Sequence, residues 1–240
     1  MISIIIPTRE LKRSKNLKYF HKKLTSISDL LNSLENVKDC EFEVIVVING
    51  VSDPKLINYI QNNKTISKYA VLSTNSGVSR AWNIGRNLAE GEQLLFLNDD
   101  VVVHEYDLDL LKSTLKEKVV MVGPKGSVWE NGKHVRYSDD EDVNVISGFA
   151  FMIESMVFDE VGGIDINYTP AGYEEIDLSM KILQRGYKLK VVPEARFTTN
   201  PIHGISAKNT NIKYFNTEIN TKELHKKNTK YFREKWNIQD

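Results

Sequence analysis

One amide and two carboxylates, Asn98, Asp99 and Asp100, stand together between apolar runs at residues 95–97 and 101–103. Because both flanks are apolar, these residues are not part of a solvated surface segment. Hard oxygen donors at the end of a strand suit Mg²⁺ or Mn²⁺ that already carries phosphate oxygens, since such ions are usually held by only one or two protein carboxylates. The alternative is that Asn98 and Asp99 only cap the turn that follows.

A second acidic group, Glu174, Glu175 and Asp177, follows Gly172 at the start of a helical pattern. Carboxylates in a first helical turn complement the helix macrodipole, and we expect Asp177 to do no more than that. Two adjacent glutamates can also supply a general base that deprotonates a hydroxyl group. The residues alone leave both interpretations of Glu174 and Glu175 open.

Two further positions have side chains or amides that can contact an anion. His203 lies in the loop after the last predicted strand, where an imidazole completes a metal shell, contacts phosphate or is simply solvated. Residues 75–83 open a helix, and the backbone amides of a helix N-terminus favour an anion such as diphosphate. However, Asn75 or Ser76 would cap any helix, and the segment matches neither a dinucleotide fingerprint nor a P-loop.

Short apolar runs rich in β-branched residues alternate with helical patterns along the chain. Predicted strands cover residues 2–6, 42–48, 70–72, 94–97, 119–122 and 188–192. Predicted helices include Ile27, Leu30, Leu31 and Leu34 on one face, a helix from Pro54 after a cap at Ser52 or Asp53, residues 76–89 before Gly91, a helix through Ile176, Met180 and Leu183, and residues 216–236. This alternation predicts an α/β fold with a parallel sheet covered on both faces, in which ligands bind beyond the carboxyl ends of the strands. Residues 124–142 show no clear periodicity, and we expect them to form an irregular excursion.

The composition limits the class of protein. With 240 residues, 41% of them hydrophobic, the chain fits one domain better than two small ones. Thirty-two basic residues balance 32 acidic ones, so the net charge gives no argument for nucleic-acid binding. The single cysteine, Cys40, cannot form an internal disulfide, and no apolar stretch approaches the ~20 residues of a membrane span. We therefore expect a soluble, cytoplasmic protein.

Taken in order, these segments resemble family-2 glycosyltransferases with the GT-A fold, from Ile2 to about His203. The resemblance rests on Pro7-Thr8-Arg9 after the first strand, on residues 46–53, on Asn75, Gly77, Arg80 and Asn83, on residues 89–92 before the Asn98–Asp100 strand end, and on residues 147–152, 158–165 and 172–178. It implies a single Rossmann-like domain over residues 1–240 with a mostly parallel central sheet flanked by helices. Residues 1–100 would be the nucleotide-binding half, residues 101–215 the acceptor-side half and residues 216–240 a C-terminal helix.

The resemblance also implies roles for individual residues. Pro7, Thr8 and Arg9 would line the nucleoside pocket, while Asn98 would face the ribose or the metal. Asp100 would ligate Mn²⁺ or Mg²⁺, with His203 as a further metal or phosphate contact, and Gly148 would let the backbone approach the donor sugar. The other expected donor contacts are Asn49, Asn75, Gly77, Arg80, Asn83 and Asp99.

Glu175 would occupy the position of the catalytic base, with Glu174 beside it, and carry-over by position alone leaves their order open. The implied reaction is a single, inverting displacement from a nucleotide-diphosphate sugar to a saccharide or lipid-linked acceptor. The implied role is in surface polysaccharide or glycoconjugate synthesis.

The chain departs from the family pattern at three positions. Ile48 stands where the family usually has an aspartate that contacts the nucleoside, so the preferred nucleobase stays open. Asn98 replaces the first aspartate of the DxD motif, and Glu175 stands where aspartate is more usual. An amide oxygen still ligates or accepts hydrogen bonds, and glutamate only lengthens the reach.

Two other functions compete with glycosyl transfer. A sugar nucleotidyltransferase should carry a glycine-rich basic loop where this chain has Pro7-Thr8-Arg9-Glu10. The second competing function is a module that binds glycan or nucleotide without turnover. Retention of the whole set of candidate residues argues against it, namely Asp99, Asp100, Glu174, Glu175 and His203. The basic stretches at residues 9–23 and 220–240 are either solvated faces or hold an anionic membrane surface or lipid-phosphate acceptor, so peripheral membrane contact stays open.

Overall fold

The computed structural model describes residues 1–11, 24–38, 40–50, 54–139, 143–200 and 208–239. Its strands are β1 (Ile2–Thr8), β2 (Phe42–Asn49), β3 (Lys68–Leu72), β4 (Gln93–Leu97), β5 (Val119–Gly123), β6 (Gly126–Glu130), β7 (Lys133–Ser138), β8 (Val145–Ile146), β9 (Ala150–Glu154), β10 (Lys188–Val191), β11 (Asn211–Tyr214) and β12 (Thr217–Asn220). Its helices are α1 (Ile27–Leu34), α2 (Pro54–Asn62), α3 (Val78–Leu88), α4 (Asp107–Thr114), α5 (Ser155–Glu160), α6 (Glu174–Gln184) and α7 (Thr221–Lys235), with a 3₁₀ turn at Ile166–Tyr168.

Seven strands form the central sheet in the order β10-β5-β9-β4-β1-β2-β3. β1 runs parallel to both of its neighbours, β2 and β4, whereas β9 runs antiparallel between β4 and β5. The sheet is therefore mostly parallel, and its parallel strands end at a common edge. This architecture confirms the predicted α/β class.

Each face of the sheet packs against its own set of helices. Ile4 and Ile6 of β1 belong to one buried cluster with Leu30 of α1, whereas Ile5 belongs to a second cluster with Trp82 of α3. The residues alternate because successive side chains of a strand point to opposite faces. Each fully buried side chain of this kind contributes about 1.5–3 kcal/mol, so the two cores hold the strand ends in fixed positions.

Residues 126–138 form the hairpin β6–β7, and the expected irregular excursion was wrong for this segment. The turn is Asn131-Gly132, with φ of 49° and 71°. Asn-Gly between short strands is a strong hairpin signal because both residues tolerate the left-handed region. Periodicity did not reveal this hairpin because β7 is almost entirely exposed and shows no apolar alternation.

The C-terminal helix is shorter than the predicted 216–236, because α7 begins at Thr221 after the hairpin β11–β12. Asn220 ends the hairpin and caps the helix, since its side chain accepts a hydrogen bond from the Lys222 amide at 3.0 Å. Within the described ranges, no helix combines the length and apolar composition needed to span a bilayer.

Candidate active site

The carboxyl ends of β1 and β4 meet at one edge of the sheet because the two strands are parallel neighbours. Thr8, the last residue of β1, is buried, and its hydroxyl donates to Oδ2 of Asp99 at 2.7 Å. On the other side, the amide of Asn98 donates to the carbonyl of Phe149 at 2.9 Å. The segment after β4 is therefore held from both sides, and Asn98, Asp99 and Asp100 lie at a strand end as the sequence indicated.

Asp100 is the most buried of these three residues, with 4% of its surface exposed. Its backbone carbonyl accepts a hydrogen bond from the Thr25 hydroxyl at 2.6 Å. Thr25 in turn exchanges backbone hydrogen bonds of 2.9 Å with the side chain of Asn200. Sequence reasoning missed Thr25 and Asn200, because neither belongs to a motif and only the folded chain brings them to Asp100.

Gly148 brings Glu175 to the same edge of the sheet. The pairing of Leu97 with Ala150 continues the β4–β9 ladder toward Asn98 and Gly148. A Cβ atom at Gly148 would lie 3.2 Å from Cδ of Glu175, so the carboxyl group of Glu175 packs directly on the glycine backbone. Gly148 and Glu175 therefore lie together near the carboxyl end of β4.

Glu174 and Glu175 begin α6 but have different environments. Glu174 is 3% exposed, and its Oε1 has no hydrogen-bond partner among the described residues. Burial, reinforced by the neighbouring Glu175 carboxylate, raises the pKa of Glu174 to about 8. Glu175 is half-buried, and burial raises its pKa as well. A largely protonated Glu174 therefore lies beside a more accessible Glu175.

The loop before the glutamates is held by one buried side chain of α7. The amide nitrogen of Asn228 donates to the carbonyls of Tyr168, Ala171 and Gly172 at 3.1, 3.0 and 2.9 Å. Asn228 is fully buried. The C-terminal helix thus positions the loop that leads into the candidate base, a role that no local pattern around Asn228 indicated.

Asp177 does more than complement the helix dipole, contrary to our expectation. It is fully buried and accepts hydrogen bonds from the Tyr168 hydroxyl at 3.2 Å, the Trp236 indole at 3.0 Å and the Lys235 ammonium group at 2.9 Å. A buried carboxylate needs such partners, because desolvation of an unpaired charge is costly. Asp177 therefore fastens α6 to α7.

Three asparagines predicted to contact the donor have amides that are engaged with the protein. Oδ1 of Asn49 accepts from the amide and hydroxyl of Ser76, and its nitrogen donates to the Gly77 carbonyl at 3.1 Å. Asn75 donates to the Lys213 carbonyl at 2.8 Å. Asn83 forms two hydrogen bonds with the backbone of Ile164, at 2.8 and 3.1 Å. These side chains build the loops around α3.

The start of α3 directs its first amides toward protein oxygens. The amide of Ser76 donates to Asn49, that of Gly77 donates to Asn75, and that of Val78 donates to the Pro170 carbonyl at 3.0 Å. These donors are therefore already used, although a helix N-terminus would otherwise favour a diphosphate.

The remaining predicted site residues lie in three places. Pro7 is half-buried and Arg9 exposed, both at the carboxyl end of β1 beside the Thr8–Asp99 hydrogen bond. Arg80 contacts the loop before α6, with its guanidinium 3.3 Å from the Thr169 hydroxyl. His203 lies outside the described residues, as do residues 12–23 of the first basic stretch.

The strand-end residues fit a divalent cation that keeps oxygens from its substrate. Asn98, Asp99 and Asp100 supply hard oxygen donors, and the described part of the chain contains no group of three or more His, Cys, Asp or Glu that could enclose a metal ion. Mg²⁺ and Mn²⁺ accept such a sparse set when phosphate or water completes the shell, whereas structural zinc requires four protein ligands.

Comparison with known sequences identifies one matching family. The model of glycosyl transferase family 2 matches residues 3–162. The matched range contains Thr8, the Asn98–Asp100 strand end and Gly148, and it ends before Glu174. A search of curated proteins found no match.

Solved structures share the fold at low sequence identity. They include GalNAc-T7 with UDP, GalNAc and Mn²⁺ (TM-score 0.66, 18% identity, 82% of this chain and 43% of that one). The mannosyltransferase PcManGT from Pyrobaculum calidifontis with GDP-Man and Mn²⁺ matches with a TM-score of 0.62, 16% identity and coverage of 86% and 59%. TarS 1–349 of S. aureus with UDP-GlcNAc matches with a TM-score of 0.59, 18% identity and coverage of 88% and 62%. The shared architecture is the predicted GT-A fold, and this chain spans between 43% and 62% of these proteins.

Proposed function

Because this chain belongs to glycosyl transferase family 2, we propose that it transfers one sugar from a nucleotide-diphosphate donor to an acceptor hydroxyl, with inversion at the anomeric carbon. The observation that carries this proposal is the packing of Glu175 on Gly148. It puts a carboxyl group at the sheet edge where Asp99 and Asp100 emerge. The proposed base and the cation-binding strand end can then act on the same bound donor and acceptor.

The donor nucleoside is placed against Pro7, Thr8 and Arg9, and its diphosphate at residues 98–100. Asn98 and Asp100, with His203, would hold Mn²⁺ or Mg²⁺, which when bound would neutralise charge on the departing diphosphate. Mn²⁺ in the structures of GalNAc-T7 and PcManGT supports this choice of ion. The UDP and GDP-Man bound to those proteins support a nucleotide sugar as the donor class.

The diphosphate is placed at residues 98–100 and not at the start of α3. The amides of Ser76, Gly77 and Val78 donate to protein oxygens, so these three amides are not offered to a diphosphate. Asn49, Asn75 and Asn83 support the site by shaping the loops around α3. Gly148 leaves the space that the Glu175 side chain occupies, and the donor sugar would approach beside that side chain.

Glu175 acts as the general base. Its carboxylate takes the proton of the acceptor hydroxyl while the hydroxyl oxygen attacks the anomeric carbon. The bond from that carbon to the diphosphate oxygen breaks, and its electron pair leaves with the diphosphate. Because attack and departure occur on opposite faces, the configuration inverts. Glu174, with a pKa raised to about 8, stays largely protonated at neutral pH and adds no second negative charge beside Glu175.

The acceptor is placed on the side of α6 and α7, as a saccharide or lipid-linked molecule in surface polysaccharide or glycoconjugate synthesis. Six Lys or Arg against three acidic residues in the stretch 220–240 support an acceptor, or a membrane surface beside it, that carries negative charge.

Calorimetric titration of UDP-, GDP- and dTDP-sugars, with and without Mn²⁺, tests this function. We expect at least one donor to bind more tightly with Mn²⁺ and to be turned over slowly to the nucleoside diphosphate. Asp100→Ala should lose the Mn²⁺ dependence of binding, whereas Asp109→Ala, at an exposed position of α4, should behave like the parent. Donor binding without any release of nucleoside diphosphate would instead indicate a binding module, and unchanged Mn²⁺ dependence in Asp100→Ala would remove the metal from this strand end.

A further inference from the structure

A cavity of about 520 Å³ opens between α3, the 3₁₀ turn, the tip of the β11–β12 hairpin and α7. Cationic and aromatic side chains dominate its lining, namely Arg80, Lys227, Lys230, Tyr214, Phe215 and Tyr231. Clefts of this size that combine ring faces with a few convergent charges are typical ligand sites.

Two of the three cations that line this cavity contact the same residue, Thr169. The Arg80 guanidinium lies 3.3 Å from the Thr169 hydroxyl, and the Lys227 ammonium group donates to the Thr169 carbonyl at 3.1 Å. Lys230 is exposed, and the one acid among the described lining residues, Glu234, lies 3.8 Å from it. Three cations against one carboxylate leave a net charge of +2 in the lining, so the cavity attracts anions.

Phe215 supplies a ring face at the tip of the hairpin. Its side chain is 45% exposed, and its backbone lies in the left-handed region with φ of 47°. A bulky residue rarely occupies that region, which normally favours glycine in a hairpin turn. Its amide donates to the Asn75 carbonyl at 2.8 Å, and Arg80 lies 5.4 Å from the centre of its ring. Strain of this kind persists where the surroundings fix it and where the side chain has a use.

The cavity adjoins the candidate active site through a single loop. Thr169 lines the cavity, and the chain continues from it through Pro170 and Gly172 to Glu174 and Glu175. The carbonyl of Pro170 accepts the amide of Val78, which keeps this loop against the start of α3. A ligand in the cavity would therefore extend toward the base along the loop that Asn228 holds.

We propose that this cavity binds a phosphorylated saccharide as the part of the acceptor beyond the reacting hydroxyl, an assignment that rests on the proposed function. A phosphate monoester carries a charge of roughly −1.5 to −2, which complements the lining. Arg80, Lys227 and Lys230 bind the phosphate by charge-assisted hydrogen bonds. The Phe215 ring packs against the carbon face of the sugar, as flat apolar rings do with amphipathic partners.

Isothermal titration with glucose 6-phosphate and glucose tests this assignment on the full chain. The parent should bind glucose 6-phosphate about tenfold more tightly than glucose or better, since one or two charge-assisted hydrogen bonds suffice for that ratio. Lys227→Gln with Lys230→Gln should abolish most of the difference. The matched control is Lys222→Gln with Lys226→Gln, which removes the same charge from exposed positions of α7 outside this cavity and should leave binding within about twofold.

Phe215→Gly distinguishes the effect of the aromatic ring on binding from its effect on the stability of the fold. Glycine accepts a φ of 47° without strain, so the variant should unfold at a temperature equal to or above that of the parent. It should nevertheless bind glucose 6-phosphate about fivefold more weakly or worse, as expected for loss of an aromatic contact. Unchanged affinity in Phe215→Gly would remove the ring from the site.

Three results would overturn the assignment. They are equal affinity for glucose and glucose 6-phosphate, equal weakening by the two lysine pairs, or binding of phosphatidylglycerol but not phosphatidylcholine vesicles through Lys227 and Lys230 without any sugar phosphate binding. The last result would reassign the cavity to a lipid headgroup. Titration of UDP-glucose with Mn²⁺ in the same variants separates the two proposals: intact donor binding without sugar phosphate binding rejects the cavity assignment alone, and the reverse rejects the donor site alone.

Discussion

Glu174 and Glu175 are neighbours in the chain, yet burial gives their carboxyl groups different properties. Glu174 is enclosed, with one oxygen lacking a described partner, and its pKa rises to about 8 because of burial and the adjacent Glu175. Glu175 is more accessible and packs on Gly148. The sequence left their order open because both are glutamates in a first helical turn, and only the direction of each side chain distinguishes them.

The raised pKa of Glu174 predicts how stability depends on pH. The folded pKa of about 8 exceeds the ordinary value of 4.5, so the folded state holds a proton that the unfolded state releases. Stability should therefore fall as pH rises from about 4.5 to about 8. Glutamine resembles the protonated side chain, so Glu174→Gln should lose less stability over this range.

Unfolding temperatures of the parent and Glu174→Gln between pH 5 and pH 9 measure this difference. The two proteins should differ least at pH 5, and the variant should gain relative to the parent up to about pH 8. Parallel curves for the two proteins would contradict a buried, protonated Glu174.

Gly148 predicts a steric effect on Glu175. A Cβ atom there would lie 3.2–3.3 Å from three atoms of the Glu175 side chain, so Gly148→Ala must displace the carboxyl group by a few tenths of an ångström. We expect turnover to fall by about tenfold or more, since small displacements of a reacting group are costly. Donor affinity should change little.

A second substitution provides the control for Gly148→Ala. Glu175→Asp shortens the side chain and should recover part of the lost turnover in the Gly148→Ala background, although it lowers turnover by itself. Purely additive losses in the double variant would show that the two residues do not interact.

Among single residues, the types of the strand-end carboxylates and the glutamate pair marked them as candidates and the family resemblance marked Gly148, while their roles stay predictions. The hydrogen bonds of Asn49, Asn75 and Asn83 to the protein could not be predicted, since a side-chain amide binds ligand and backbone equally well. Their partners, Ser76, Gly77, Lys213 and Ile164, come from separate segments that only the fold assembles.

At the scale of elements, α7 holds the start of α6 and the loop before it in position. Asn228 binds three carbonyls of the loop before Glu174, and Lys235 and Trp236 bind Asp177 within α6. Lys235 also pairs with Asp165 at 2.6 Å, and although burial opposes ionisation, this lysine, the Asn167 amide and the Tyr231 hydroxyl together lower the pKa of Asp165. The C-terminal helix is therefore a support for the candidate base.

Asn228→Ala should weaken this support. The buried carbonyl of Tyr168 and the partly buried carbonyls of Ala171 and Gly172 would lose their donor, so we expect a loss of about 1–3 kcal/mol in the free energy of unfolding. Turnover should fall while donor affinity is nearly kept, because the donor is placed at the other side of the site. Denaturant unfolding and steady-state kinetics measure both effects.

Lys226→Ala is the matched control for Asn228→Ala, since Lys226 is exposed on the same helix. It should change stability by less than about 0.5 kcal/mol. Equal effects of the two substitutions, or unchanged turnover in Asn228→Ala, would show that α7 does not position the glutamates.

The elements of residues 1–100 could be predicted because each strand is a short apolar run and each helix has a clear apolar face. The hairpins β6–β7 and β11–β12 were not predicted because β7 and β12 are largely exposed or half-exposed and lack an apolar pattern. The Asn131-Gly132 turn was the available signal, whereas a turn with Phe215 in the left-handed region has no such signature.

At the scale of the whole molecule, the site joins segments that are far apart in sequence. Thr8 contacts Asp99, Thr25 contacts Asp100, and Glu175 packs on Gly148. The parallel order of β2, β1 and β4 brings the donor side together, and the antiparallel β9 brings Gly148 to the same edge. The family match ends at residue 162, so the proposed base, Glu175, lies in the part of the chain that the match does not cover.

The alternation of strands and helices allowed the parallel α/β sheet to be predicted, and the resemblance of the ordered motifs to family-2 glycosyltransferases allowed the GT-A fold to be predicted. The cavity beside Phe215 could not be predicted. It requires α3, the 3₁₀ turn, a hairpin tip and α7 to meet, and the cations that line it are unremarkable on their own helices.

The proposed role of Glu175 as the general base is tested by comparing two variants, Glu175→Gln and Glu174→Gln. The measurement is the rate at which each releases nucleoside diphosphate from a bound donor. Glutamine keeps the size and hydrogen bonding of the side chain but cannot take the proton. Glu175→Gln should keep its donor affinity and lose turnover by a factor on the order of 10²–10⁴, while Glu174→Gln should lose much less. Near-normal turnover in Glu175→Gln with a collapse in Glu174→Gln would move the base by one residue, and near-normal turnover in both variants would contradict the mechanism.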